Sequence, residues 1–186
     1  MASVLGLGAF LGTLPAMADP PATANVLQIG LGFRYGFEME DGDFNPWGAG
    51  LGVSAGYTLP MAVYVGGNFD YFFGETVEVS GGELSGNIWQ LMAEGGYDLG
   101  VGDTFVIRPK LGLGFASLNA EGCFDLGLGA GEQCADDSST DFAMAPGATF
   151  LYLGSKFSLS ADLRYDMIFA EDEQLNALLL SVGIGF

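Results

Sequence analysis

The sequence predicts an all-β chain folded as a transmembrane, up-and-down antiparallel barrel of eight strands, with short turns at one end and longer acidic loops at the other. Three observations carry that prediction. Apolar residues alternate with small or polar ones over segments that match the roughly 9–11 residues a tilted strand needs to cross hydrocarbon. Hydrophobic residues make up 49% of the chain and mean hydropathy is +0.36. Yet beyond residue 18 no run approaches the roughly 18–20 unbroken apolar residues of a membrane helix. The chain also holds 31 glycines, which destabilise helix interiors but suit a crowded inner barrel wall.

Eight segments carry the alternation. In Asn25–Glu38, Leu27, Ile29, Leu31, Phe33, Tyr35 and Phe37 share one face, opposite Gln28, Gly30, Gly32, Arg34, Gly36 and Glu38. Pro46–Thr58 sets Trp47, Ala49, Leu51, Val53, Ala55 and Tyr57 against glycines and Ser54. Ala62–Gly74 sets Val63, Val65, Phe69, Tyr71 and Phe73 against Tyr64, Asn68 and Asp70. Ser85–Asp98 sets Trp89, Leu91, Ala93 and Tyr97 against Gln90, Met92 and Glu94. Thr104–Ser117 sets Phe105, Ile107, Leu111, Leu113 and Phe115 against Arg108, Lys110 and glycines. Asp141–Leu153, Lys156–Ala170 and Leu175–Phe186 repeat the pattern. A soluble sandwich also alternates, but it wets its second face with Lys, Glu and Thr. Here that face is largely Gly, Ala and Ser with few charges, and the segments exceed the usual strand length.

Connections Thr58–Met61, Leu99–Asp103 and Gly154–Ser155 are short. Met39–Asn45, Glu75–Leu84, Leu118–Thr140 and Glu171–Gln174 are longer on average and form the outer loops in this reading. Aromatics gather at both strand ends as interfacial girdles: Tyr57, Tyr97, Phe105, Tyr152, Phe157 and Phe186 at the short-turn end, Trp47, Phe73, Trp89, Phe115, Phe142 and Phe169 at the other. Pro109 and Pro146 lie inside segments, where each removes a ladder donor; bulges are expected there. Residues 1–18 read as a cleaved signal peptide, with an apolar run from Val4 to Leu14 and an Ala16-Met17-Ala18 cleavage site. Its n-region is atypical, because no Lys or Arg precedes the apolar run. The barrel domain is then 19–186.

On these segments the chain resembles the small bacterial outer-membrane barrels of the OmpX type and the transmembrane domain of the OmpA type. The C-terminal Leu-Leu-Leu-Ser-Val-Gly-Ile-Gly-Phe resembles the signal read by the barrel assembly machinery, carried by Leu180, Val182, Ile184 and Phe186. The resemblance implies the outer membrane of a Gram-negative bacterium. It implies as partners outer-membrane lipid and lipopolysaccharide, with assembly machinery and periplasmic chaperones during biogenesis, and a monomeric state.

Net charge is −18 with five basic residues, which excludes nucleic acid as a natural partner. Arg34, Arg108, Lys110 and Arg164 fall on the small-residue face, with Glu38, Asp70, Glu94, Asp162 and Asp166. An eight-stranded barrel has a lumen about wide enough for side chains to fill, and unpaired buried charge is costly. These nine residues are therefore read as an internal ion-pair network that plugs the barrel. Acidic loop residues include Glu40, Asp41, Asp43, Asp136 and Asp137. They offer at most a weak Ca²⁺ or Mg²⁺ site and match no EF-hand spacing; no other cofactor is expected. Cys123 and Cys134 share the long third loop and are expected to form a disulfide in an exported protein. The chain has no histidine, the side chain that most often supplies a general base, and no catalytic residue is assigned. The expected role is structural or surface-interacting. The alternatives are a small channel of the porin or OmpW type and, more weakly, an adhesin acting through 118–140.

Overall fold

The computed structural model describes residues 23–24, 26–39, 45–79, 82–125, 132–170 and 174–186. The signal-peptide reading at 1–18, and Glu40, Asp41, Asp43 and the acidic run 171–173, lie outside the described residues. Among the described residues, ten strands form one antiparallel sheet: β1 (Leu27–Glu38), β2 (Gly48–Thr58), β3 (Val63–Phe72), β4 (Thr76–Val79), β5 (Gly82–Tyr97), β6 (Leu99–Val101), β7 (Phe105–Asp125), β8 (Glu132–Leu153), β9 (Ser158–Phe169) and β10 (Gln174–Gly185). β1 pairs with both β2 and β10, and β5 pairs with β7, so the sheet closes into a ring. The ring has the eight expected walls, two of them interrupted: β4 continues β3, and β6 continues β5.

The interruptions correct the expectation of bulges at proline. Pro109 has no N–H, and the β5–β7 ladder lapses at Tyr97 and Asp98, the residues opposite it and Arg108. Pairing resumes at Leu99↔Ile107 in the same register, so no residue is added. Near Pro146 the β8–β9 ladder also lapses and resumes without a slip, between Met144↔Met167 and Gly147↔Arg164. The true bulge lies between β3 and β4. Phe73, Gly74 and Glu75 span the gap between Phe72↔Ile88 and Thr76↔Ser85, where β5 has only Gly86 and Asn87. One extra residue on one strand is the definition of a bulge. Gly74 makes it feasible: its φ is +66°, and a Cβ there would collide with the Gly86 carbonyl oxygen. Gly74→Ala is expected to destabilise the barrel by about 1–2 kcal/mol from backbone conformation alone, and further through that collision. A lowered urea midpoint in vesicles checks this; an unchanged midpoint refutes it.

The third loop is shorter than expected. β7 and β8 continue past the rim as a hairpin paired from Phe105↔Tyr152 to Asp125↔Glu132, joined by β5 as far as Gly82↔Phe124 and by β4. Much of 118–140 is therefore strand, because the backbone donors there find cross-strand partners instead of water.

Alternation places the expected faces. Leu31, Phe33, Leu51, Val65, Leu91, Leu113, Phe150, Leu163 and Val182 all point outward and are exposed. The girdle residues Tyr57, Tyr97, Phe105, Tyr152, Phe157 and Phe186 are exposed at the short-turn end, as are Phe73, Phe115, Phe142 and Phe169 at the loop end. Trp89 is half-buried and stacks on Phe69 at 6.3 Å. Trp47 departs from the pattern: it is fully buried inside the barrel. Gly48, the first residue of β2, has a left-handed φ of +48°, so parity counted back along β2 fails at Trp47.

Candidate functional site

Among the described residues, charge gathers inside protein in the lumen, and the lumen is layered. At the loop end lies an apolar plug. Trp47, Phe72 and Ile88 are 0% exposed, Ile168 and Leu179 2%, and Met92, Ala116, Ala143, Ala145 and Ala177 complete the cluster. Trp47 meets Phe72 edge-on, ring centroids 5.3 Å apart, an arrangement favoured by ring quadrupoles. It occupies space above Gly36, where a Cβ would come within 2.5 Å of Trp47 Cβ. Sequence reading missed this plug. Ile88, Met92, Ile168 and Leu179 have lumen parity, and that signal could have found them.

Below the plug, Asp70 binds two arginines. Its Oδ1 accepts from Arg34 Nε at 2.8 Å and its Oδ2 from Arg164 Nη2 at 2.7 Å. Asn68 Nδ2 also donates to Asp70 Oδ2. Arg164 reaches Asp166 through Nε at 2.8 Å and Gln90 Oε1 through Nη2 at 3.1 Å. The guanidinium of Arg34 lies across a floor of glycine. A Cβ on Gly32 would fall 2.6 Å from its Nη1, and one on Gly52 2.7 Å from its Nε. These glycines face each other across β1 and β2. Beside this group, Lys110 Nζ contacts Glu94 Oε1 at 2.8 Å and Asp162 Oδ1 at 3.0 Å, and Thr149 Oγ1 donates to Asp162 at 2.6 Å.

The third layer lies at the short-turn end. Arg108 donates from Nε and Nη2 to the two oxygens of Asp98, at 2.5 and 2.9 Å, and its Cζ sits 3.7 Å above the Tyr64 ring centroid, a cation–π contact. Thr23 and Thr58 both donate to Asp98 Oδ2, at 2.6 and 2.9 Å, and Gln28 Oε1 accepts from Arg108 at 3.0 Å. Asp98 occupies the β5–β6 interruption, beyond the β5 strand. Asp98→Asn is expected to lower the unfolding midpoint in vesicles, because the buried Arg108 guanidinium loses the carboxylate that holds it. An unchanged midpoint would refute this.

Eight of the nine residues read as a lumen network thus meet inside the barrel: Arg34, Asp70, Glu94, Arg108, Lys110, Asp162, Arg164 and Asp166. Glu38 stands at the loop end of β1, opposite Ala177 and half-buried. Asp98, which the sequence reading left out of the network, is the partner of Arg108. It continues the parity of Gln90, Met92 and Glu94, and that periodicity was its available signal. Lys156, the remaining basic residue, is exposed in the β8–β9 turn. Leu180, Val182, Ile184 and Phe186 all face outward and are exposed; Phe186 exchanges backbone hydrogen bonds with Ile29, at 2.9 and 3.2 Å.

Above the rim, Cys123 and Cys134 are directly paired across the β7–β8 hairpin and joined by a disulfide. Asp136 and Asp137 are exposed on the same hairpin. Among the described residues, the side chains that gather at metal-ligand spacing are Glu121, Cys123 and Cys134, and the disulfide occupies both sulfurs.

The family model described as outer membrane protein beta-barrel domain matches residues 4–186. The chain belongs to this family. It is an outer-membrane protein of a Gram-negative bacterium, its outward apolar band meets lipid, and its short turns lie in the periplasm. Solved structures share the architecture at low identity. The attachment invasion locus protein Ail of Yersinia pestis is 17% identical, over 86% of this chain and 97% of its own, with a TM-score of 0.53. Neisserial surface protein A is 15% identical, over 86% and 94%, at 0.54. A major outer membrane protein from Thermus thermophilus is 16% identical, over 87% and 100%, at 0.60. No curated protein sequence matches the chain. At such identities the outer-membrane barrel shares a fold with these proteins, and the residues lining its lumen must be read on their own.

Proposed function

We propose that this outer-membrane barrel is a non-enzymatic, non-conducting structural or surface-interaction protein. The observation that carries the reading is the apolar plug: Trp47, Phe72, Ile88, Ile168 and Leu179 pack together at the loop end of the lumen, each 2% exposed or less. An apolar constriction excludes hydrated ions because no wall group replaces their water. The charged groups below serve the same end, since each arginine is held by a carboxylate. Their carboxylates are engaged as ion-pair partners, and the chain has no histidine, so a general base for catalysis has no candidate here. The part that meets the surroundings is the sheet of β4, β5, β7 and β8 above the rim, braced by its disulfide and bearing Glu78, Glu83, Glu121, Asp136 and Asp137. Its acidity suits divalent-cation bridging to anionic lipopolysaccharide, and its reach would suit an adhesin.

The competing reading is a small channel. Conductance in a planar bilayer separates them. The wild type and Arg108→Ala/Lys110→Ala are expected to show no unitary steps, because the plug remains. Steps in the wild type would overturn the closed lumen.

A further inference from the structure

We infer that the Cys123–Cys134 disulfide is a thiol-exchange site that admits cationic thiols and turns away anionic ones. The bond joins β7 and β8 above the outer rim, two residues from the last paired position of the hairpin, Asp125↔Glu132. Cys134 is exposed and Cys123 half-buried, so a small thiol reaches the bond from outside the cell.

The register sets carboxylates around it. Side chains two apart on a strand share a face, and residues directly opposite across a ladder stand about 5 Å apart at Cβ. Glu83 of β5 is opposite Cys123, and Glu78 of β4 is opposite Glu83. One step nearer the rim, Glu121 is opposite Asp136, each two residues from a cysteine. All four are exposed on the face that carries the disulfide, and Glu121 Oε1 lies 3.8 Å from Cys123 Sγ. Both pairs, Glu78 with Glu83 and Glu121 with Asp136, oppose like charges, which costs sheet stability. No cation in these strands offsets them: β4, β5 and the run 111–155 hold no Lys or Arg. Residues 126–131, which join β7 to β8, are uncharged.

Exchange starts when a thiolate attacks one sulfur of the bond. Attack on the exposed Cys134 Sγ makes a new S–S bond to the incoming sulfur, breaks the old one and releases Cys123 as a thiolate. A second thiolate of the same reagent then attacks the incoming sulfur, releasing the reagent disulfide and the Cys134 thiolate. Two thiols are oxidised and the protein disulfide is reduced, with two electrons passed. The arriving negative charge enters among the carboxylates, and the departing one appears beside Glu121. An ammonium group on the reagent offsets this repulsion, and a second negative charge adds to it.

The test compares 2-aminoethanethiol, a cation, with 2-mercaptoethanesulfonate, an anion, on the full chain folded in uncharged detergent. Opening is followed by acid quench and mass. Each rate is divided by that of the same thiol with bis(2-hydroxyethyl) disulfide, which cancels differences in intrinsic reactivity. At about 10 mM salt, where charges act over roughly 30 Å, the corrected preference for the cation should be at least about tenfold. At about 1 M salt, where they act over roughly 3 Å, it should fall towards one. Glu83→Gln/Glu121→Gln/Asp136→Asn should remove most of the preference at low salt, while the heat-dependent gel shift of the folded barrel persists. That variant loses three of a net eighteen negative charges, so an effect of the whole molecule's charge would barely change. Failure of both thiols to open the bond, a corrected ratio near one at low salt, or a preference that survives 1 M salt or the triple variant overturns the inference.

Discussion

Asp70→Asn is expected to destabilise the folded barrel by about 3–5 kcal/mol, the usual cost of removing one partner from a buried ion pair. Asp70 is fully buried and accepts from Arg34 at 2.8 Å and from Arg164 at 2.7 Å. The two arginines do not suffer equally. Arg164 keeps Asp166 at 2.8 Å. Arg34 has Asp70 as its ion-pair partner and would face an amide whose N–H₂ repels its own donors. The cost therefore comes mainly from an orphaned Arg34, and removing that charge should restore part of it. Arg34→Gln/Asp70→Asn is expected to be more stable than Asp70→Asn alone, with a coupling of at least about 1 kcal/mol in a double-mutant cycle. Urea unfolding in lipid vesicles measures all four corners. Additive losses would mean that the pair does not act as a unit.

Trp47→Ala is expected to cost about 3–5 kcal/mol, the range for deleting a large aromatic from a packed interior. Leu179 and Phe72 are held by their own strands and cannot collapse onto the space, so most of the cavity remains. Trp47→Phe tests the cause. The indole N–H has no hydrogen-bond partner among the described residues, so Phe gives up volume and no hydrogen bond. Its loss should stay below about 1.5 kcal/mol, the usual bound for apolar swaps close in volume. If Trp47→Phe were as damaging as Trp47→Ala, the indole nitrogen would have a role that packing does not account for.

Local alternation sufficed for much of this protein. A two-residue repeat depends only on neighbours along one strand, so the sequence alone determined the barrel class, the eight walls, the lipid face from Leu27 to Ile184 and the lumen side of Arg34, Lys110 and Arg164. It failed where that repeat is broken. Gly48 turns Trp47 inward through a left-handed backbone, Gly74 adds a residue between β3 and β4, and Pro109 interrupts a ladder opposite Tyr97 without shifting it. The tertiary structure alone decided who meets whom. Closing a tilted sheet brings Arg164 of β9 to Asp70 of β3, and Thr23 to Asp98, across a lumen that no spacing along the chain describes. It also gave the glycines of β1 and β2 their purpose, because only in the closed ring does the guanidinium of Arg34 lie where their side chains would have been.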